Sequence, residues 1–430
     1  MSFRSIKGTK DLLPPDSYAW LHIENTVRDV LHSFRYFEIR TPVFESTQVF
    51  ARGIGEETDI VGKEMYSFTD KGGTELTLRP EMTAPVMRAF MQHSMQAQQT
   101  LTKLYYIGPM FRQERPQAGR FRQFHQFGYE SIGLESPYCD AEVIVISAEI
   151  YRRLGIPFEL KINSIGDNET RTQYRARLQE YLKSVEDQLT EESKRRMHTN
   201  PLRVLDSKAP QDKEATEAAP SIQEFLFGNA RIHFDTVLSV LDAMAIPYTV
   251  DSRLVRGLDY YSHTAFEFVS ADLGAQDALG GGGRYDGLSE QLGGKPIPAV
   301  GFAAGMERLL MVLEKKGYAF PNAPLDLYII GLEPESRKWA FETAVALRQA
   351  GLTVETDFAE RSFKAQMRDA NKQDAQYVII VGEEEMKKQQ TILKRMSDGD
   401  QKELAFGDVR EKVPFIILGD NNQPANEENA

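Results

Sequence analysis

The first sustained pattern in the chain is helical. Trp20, Ile23, Val27, Val30, Leu31 and Phe34 recur at three- and four-residue spacing, which predicts an amphipathic helix over 16–34. A strand-like stretch carrying Pro42 follows, Tyr36 to Phe44, and then a short strand, Glu75 to Leu78, beyond Gly72 and Gly73. Lys103 to Glu130 reads as one long hairpin, with two strands on either side of a polar, arginine-rich loop. From about 168 to 230 aromatic residues thin out and charge rises, so an inserted, mostly helical subdomain is expected, with short helical patterns at Tyr174–Tyr181 and Ile222–Leu226. Strand-like sequence resumes near 248 and runs to a helix starting about Gly305. Past a proline-bearing linker, Gly317 to Pro324, three apolar runs alternate with helical stretches at 335–350 and 362–373, which predicts a small α/β domain with parallel strands. The polar tail after Asp420 is expected to fray. Two domains follow, 1–325 and 326–430.

The second strand of the hairpin, Arg122 to Glu130, is the most informative stretch. Side chains alternate faces along a strand. Arg122, Phe124, Gln126, Gly128 and Glu130 share one face, and Gln123, His125, Phe127 and Tyr129 the other. The first face offers a flat aromatic, an amide and a carboxylate around a glycine that leaves room for a ligand, which suits a pocket floor. The same alternation also fits a solvated face with one exposed Phe. Arg112, at the end of the first strand, suits phosphate, because a guanidinium donates two parallel hydrogen bonds to an oxyanion. A surface pairing with Glu114 is the alternative.

Composition narrows the class. Of 430 residues, 41% are hydrophobic and 27% charged, ordinary for a globular protein. No run approaches the ~18 apolar residues a membrane span needs. Charges and prolines occupy the N-terminus where an export signal would be apolar, so a cytoplasmic location is expected. With one cysteine, Cys139, no intramolecular disulfide and no cysteine-based zinc site can form, and seven histidines without metal-like spacing point to no metal centre. The net charge of −12 argues mildly against nucleic acid. Locally the balance reverses: from Arg112 to Arg122 four arginines face a single acid, Glu114. An acidic body with a basic patch can hold one folded RNA.

Tyr106-Ile-Gly-Pro-Met-Phe-Arg-Gln-Glu-Arg115, continued through Gly128-Tyr-Glu130, resembles motif 2 of class II aminoacyl-tRNA synthetases, in the form found in the histidyl-tRNA synthetase family. Leu254-Val-Arg-Gly-Leu-Asp-Tyr-Tyr261 is similar to a segment specific to that family, and Leu279-Gly-Gly-Gly-Gly-Arg-Tyr-Asp-Gly-Leu288 to its histidine-binding loop. Val300 to Arg308 resembles motif 3, Leu78-Arg-Pro-Glu81 with Thr83 another family box, and His198 to Leu205 the insertion of the bacterial-type enzymes. Together these span nearly the whole chain. One departure is Met82, where the family usually has glycine.

The resemblance implies an α+β fold: an antiparallel-sheet catalytic domain with a helical insertion about 168–230, and a C-terminal α/β domain that binds the anticodon. It implies two steps, formation of histidyl-adenylate from L-histidine and ATP, then transfer to tRNA(His), with Mg2+ arriving on the nucleotide. By family position Arg112 and Arg256 flank the α-phosphate as the catalytic pair. Glu114, Phe124 and Arg308 join Arg112 on ATP, Phe124 under adenine and Arg308 on the γ-phosphate near a helix N-terminus. Glu81, Thr83 and Gln126 take the α-ammonium, Glu130, Tyr261 and Tyr285 meet the imidazole, and Tyr260 belongs to the same histidine site. Arg115, Gln117 and Arg120, in the hairpin loop, are implied to meet the tRNA acceptor end. A homodimer is implied too, with Arg40-Thr-Pro42 in its interface; the alternative for Pro42 is an edge-strand proline. Two rivals remain: a regulatory paralogue from histidine biosynthesis, whose kind typically lacks the Leu254–Tyr261 segment and the C-terminal domain, and a class II enzyme for another amino acid.

Overall fold

Six strands pair antiparallel, side by side, in the order β5 (Thr102–Phe111), β6 (Gln123–Ile132), β11 (Ala299–Gly305), β10 (Ala278–Arg284), β9 (Ser262–Val269) and β7 (Glu159–Ser164). A short strand closes each edge in parallel: β1 (Phe37–Glu38) beside β5 and β8 (Tyr248–Val250) beside β7. The computed structural model describes residues 3–421, apart from 56–57, 59, 118, 206, 208, 255–260, 275–276 and 321–324. The chain divides into two compact units, Met1–Phe320 and Pro321–Ala430.

One face of the large sheet is greasy throughout. Phe127 and Tyr129 of β6, Val300, Phe302 and Ala304 of β11 and Phe266 and Phe268 of β9 are buried there together. Helices Asp16–Ser33, Pro137–Arg153, Gly228–Ala243 and Met306–Lys315 cover them. The first helix answers to its spacing, burying Trp20, Ile23, Val27, Val30 and Leu31. Because Gly228–Ala243 packs on this core, the helical chain beyond 227 belongs to it and not to the insertion. The inserted helices bury Tyr174, Leu178, Leu182, Met197 and Val204 in a cluster that also holds Tyr261 and Tyr285.

The stretch from Tyr36 to Phe44 is not one strand. It breaks between β1 and β2 (Phe44–Ser46), which pairs in a separate sheet with β4 (Glu75–Leu78), itself flanked by β3 (Tyr66–Thr69). Pro42 has no N–H for a ladder, and the buried Arg79 guanidinium donates to the carbonyls of Thr41 at 2.9 Å and Pro42 at 3.3 Å. Pro42 is therefore not an edge-strand proline.

The second unit is a five-stranded sheet ordered β13 (Val354–Thr356), β12 (Leu325–Gly331), β14 (Ala375–Val381), β15 (Gln390–Arg395), β16 (Gln401–Ala405). The first three are parallel, as the alternation predicts. The other two form an antiparallel hairpin, and the helix Phe406–Asn421 follows. Neither was foreseen. The tail beyond 421 lies outside the described residues.

Candidate active site

The other face of the large sheet is bare at its centre. Gly301, Ala303 and Gly305 of β11 stand opposite Glu130, Gly128 and Gln126 of β6, and Gly281 of β10 stands opposite Ala303. These small residues make a floor. Above it lie two adjoining chambers. The outer, of about 450 Å³, is lined by Arg112, Glu114, Arg120, Phe124, Glu267 and Arg308 among others. The inner, of about 100 Å³, is lined by Glu81, Thr83, Tyr106, Gln126, Tyr261 and Tyr285 among others. Arg112, Gln126, Gly281 and Ala303 line both, so the chambers share a wall.

Glu130, 1% exposed, lies behind the wall of the inner chamber and ties together three residues that line it. Thr83 Oγ1 donates to its Oε1 at 2.9 Å, the Tyr106 hydroxyl at 3.2 Å, and the Tyr285 hydroxyl donates to Oε2. Burial pushes this carboxyl up to about 8, against the pull of the hydroxyls. Glu81 caps the helix Thr83–Gln92, its carboxylate accepting the N–H groups of Thr83 at 2.6 Å and Ala84 at 3.0 Å. Burial raises it as well, while those N–H groups and the charge of Arg112 pull it down. Gln126 Oε1 is buried without a hydrogen-bond partner among the described residues. An unsatisfied acceptor in a polar chamber is where a ligand's donor belongs.

Three guanidiniums line the outer chamber. Arg112 is held by a bond from Nε to the Pro80 carbonyl at 3.0 Å and lies 5.1 Å over the Phe124 ring. Arg308, on the first turn of the helix Met306–Lys315, donates to the Ala278 carbonyl at 2.6 Å. Arg120 pairs with Glu114 at 2.9 Å. The expected alternative, an Arg112–Glu114 surface pair, is therefore not what Glu114 makes. Burial lowers the Arg308 guanidinium and the charge of Arg120 lowers it further. Like charges gathered under cover favour an anion among them.

The hairpin loop divides. Gln117 and Arg120 exchange backbone bonds at 3.2 and 2.9 Å across Gly119, whose φ of +71° suits glycine. Arg115 and Gln117 face solvent, while Arg120 turns inward onto the chamber wall. Arg120 thus stands apart from its loop companions. Arg256 and Tyr260 lie outside the described residues.

Two glycine readings change. Gly128 does not clear space for a ligand: a Cβ there would stand 2.4 Å from the Tyr106 hydroxyl, so its emptiness seats Tyr106. The run Gly280–Gly283 is no loop but the inner strand β10. A Cβ on Gly280 or Gly282 would strike Phe302 or the Gly301 carbonyl, so their missing side chains serve sheet packing, while Gly280 also borders the outer chamber and Gly281 lines both. Met82 adopts φ −118°, open to any residue, and its sulfur accepts from Thr41 Oγ1 at 3.8 Å. The departure from glycine leaves the backbone unstrained.

His125 turns away from the chambers, as the alternation predicts, edge-on to Trp20 with 4.9 Å between ring centres, its N–H held by Glu307 at 2.8 Å. Cys139 is buried. Among the described residues no cluster of three or more His, Cys, Asp or Glu side chains is set to hold a metal, and no helix is long and apolar enough to cross a membrane. Sequence reasoning missed Tyr106 and Gly301. Tyr106 had a readable signal, an aromatic facing a mid-strand glycine across the hairpin.

The chain matches the family model described as histidyl-tRNA synthetase over residues 8–309 and the one described as anticodon binding domain over 326–415. It is 54% identical over 419 residues to the histidine–tRNA ligase of Chloroherpeton thalassium, covering 96% of this chain and 98% of that one. It is 48% identical over 419 residues to the histidine–tRNA ligase of Halothermothrix orenii, covering 97% and 100%. The crystal structure of the S. aureus histidyl-tRNA synthetase matches with a TM-score of 0.83 at 37% identity, over 96% of this chain and 100% of that one.

Proposed function

The chain belongs to the histidyl-tRNA synthetase family and is an enzyme that joins histidine to tRNA at the expense of ATP, and we propose that histidine occupies the inner chamber and ATP the outer. The observation that carries this division is Arg112, which lines both chambers and so stands where a carboxylate entering from one meets a phosphate entering from the other.

In the inner chamber Glu81, Thr83 and the unpartnered Gln126 Oε1 receive the α-ammonium. Glu130 accepts the imidazole N–H, and a tyrosine hydroxyl, from Tyr261, Tyr285 or Tyr260, donates to the other ring nitrogen. A carboxylate oxygen of histidine then attacks the α-phosphorus, the bond to the β-phosphate breaks and pyrophosphate leaves. Arg112, with Arg256, stabilises the charge on the α-phosphate. Phe124 supports adenine, and Arg308 and Arg120 hold the outer phosphates. In the second step a hydroxyl of the terminal adenosine of tRNA displaces AMP from the acyl carbon. The carboxylates of Glu114 and Glu267 on the outer wall fit a Mg2+ ion carried mostly by phosphate oxygens, which would neutralise part of the triphosphate charge.

Exposed Arg115 and Gln117 are the loop residues left to meet the acceptor stem. In the C-terminal unit the anticodon arm is read at the carboxyl ends of the parallel strands, where exposed Phe358 pairs edge-on with Phe341 and the buried Gln366 Oε1 has no partner among the described residues. A homodimer is supported by exposed Phe37, Val43, Phe44 and Phe68, an apolar set beside Arg40-Thr-Pro42. A cytoplasmic site of action completes the reading.

One experiment tests it in two arms. Pyrophosphate exchange measured across the amino acids should proceed with histidine alone, before tRNA is added. Exchange without amino acid preference would refute the chamber assignment. In the second arm Phe358→Ala should lower tRNA charging by roughly tenfold, the worth of one stacked base, and leave exchange unchanged. Equal loss of both would move the anticodon site elsewhere.

A further inference from the structure

Strands β9 and β10 do not pair evenly. Gly283 stands opposite Ala265, yet the next residue, Arg284, stands opposite Ser262, so His263 and Thr264 bulge out of the ladder. His263 takes φ +46°, uncommon outside glycine. Bulges re-aim the side chains beside them, and this one lies two residues after Tyr261, with only Ser262 between.

The bulge is held on every side. The His263 N–H donates to Gly166 O at 3.0 Å, and the Ile165 N–H donates to His263 O at 2.7 Å. The His263 ring lies 5.1 Å from that of His233. Thr264 Oγ1 donates to Asp140 Oδ2 at 2.6 Å, and His233 Nε2 reaches the same oxygen at 2.8 Å. Asp140, with no exposed surface, also receives Arg284 Nε at 3.0 Å. Arg284 in turn donates to Asp286 Oδ1 at 3.1 Å. Asp286 and Ser262 then bond each other twice, at 3.3 and 3.4 Å. The two tyrosines of the inner chamber sit within this chain of contacts: Tyr261 precedes Ser262, and Tyr285 lies between Arg284 and Asp286. None of Asp140, His233, Thr264 or Arg284 lines either chamber.

We propose that Asp140, with His233 and Thr264 bonded to it, is a positioning centre for imidazole recognition, clamping the β9 bulge so that Tyr261 and Tyr285 converge on the amino acid. The proposal rests on the inner chamber being the histidine site. Removing the Asp140 carboxylate leaves the Arg284 guanidinium buried without it, so Asp140 variants risk simple misfolding. The milder probes are Thr264→Val, nearly isosteric without the hydroxyl, His233→Leu, and His233→Gln, whose amide N–H can still reach Asp140.

Pyrophosphate exchange is measured on the full-length enzyme with histidine and ATP varied separately, alongside melting temperature. Thr264→Val and His233→Leu should raise the histidine KM about tenfold, the effect of a misaimed hydrogen bond, with the ATP KM within about twofold. His233→Gln should recover most of the loss. Tyr285→Phe is the control for the premise. A raised histidine KM in Tyr285→Phe, with an unchanged one in Thr264→Val and His233→Leu at lowered melting temperature, overturns the clamp and leaves the chamber. An unchanged histidine KM in Tyr285→Phe removes the chamber reading and the clamp with it.

Discussion

Gly301→Ala will cost the enzyme its grip on histidine while sparing the outer chamber. A Cβ at this position would stand 1.6 Å from Glu130 Oε2 and 2.6 Å from its Cδ, inside any van der Waals contact. The carboxylate has nowhere to go, because Tyr285, Tyr106 and Thr83 hold its oxygens from the other sides. Gly301 is not among the residues with positive φ, so the effect is steric and not a backbone penalty. Displacing Glu130 misaligns the group proposed to read the imidazole, and polar matching of this kind is worth large factors. The histidine KM should rise on the order of a hundredfold, with ATP binding, measured by equilibrium titration, unchanged. Adding Glu130→Ala to Gly301→Ala should recover part of the melting temperature without restoring histidine use, since the clash with the carboxylate is gone while the Tyr129 carbonyl still stands 2.9 Å from the added Cβ. A histidine KM within about twofold of the parent in Gly301→Ala would sink the account of Glu130.

Arg112→Ala should strike the chemical step instead. Its guanidinium lies at the junction of the chambers, fixed by Pro80 O and the Phe124 ring, and under the proposed division of the chambers charge grows there as the carboxylate attacks phosphorus. An interaction strengthened only in the transition state lowers kcat and leaves substrate affinity nearly alone. Loss of one such preorganised donor commonly costs about a hundredfold to a thousandfold in rate. Arg112→Lys should recover little, because an ammonium cannot reproduce the two-pronged donor. The measurement is single-turnover formation of histidyl-adenylate. A rate unchanged in Arg112→Ala, or a loss confined to the histidine KM, would move the catalytic charge to another arginine.

Much of this site was legible because one strand carries it. Alternation over Arg122–Glu130 separated Phe124, Gln126 and Glu130 from His125, Phe127 and Tyr129, and the fold keeps that separation: Phe124 and Gln126 line the chambers and Glu130 bonds residues that line them, while Phe127 and Tyr129 enter the core and His125 packs on Trp20. What alternation within a strand cannot reveal is which residue of another strand stands opposite. Gly301 becomes essential only through its register with Glu130, and Gly128 only through its register with Tyr106. Arg120 looked like its loop neighbours until the tight turn at Gly119 folded it inward. Asp140 and Thr264 meet across 124 positions, a separation no local pattern encodes. In the C-terminal unit the parallel strands announce themselves as apolar runs, whereas β15 ends in two charges and β16 buries only Leu404, so neither carries a strand signal of that kind.

The buried Glu130 also makes the empty enzyme pay in proton linkage. Its carboxyl is raised from 4.5 to about 8, so between those values the folded chain retains a proton that the unfolded chain has already released. A state that binds more protons is disfavoured as protons become scarce, so this group erodes stability as pH climbs through that window. Glu130→Gln has no such titration. Denaturant unfolding of the histidine-free protein at about pH 5 and about pH 9 should show the parent losing more stability than Glu130→Gln across that range. Parallel losses would mean that Glu130 ionises in the fold as it does in water. An imidazole N–H given to the carboxylate favours its charged form, so saturating histidine should flatten the parent's decline. Histidine then acts as a folding ligand whose stabilising effect is greatest on the alkaline side, where the vacant site is a standing defect in the fold.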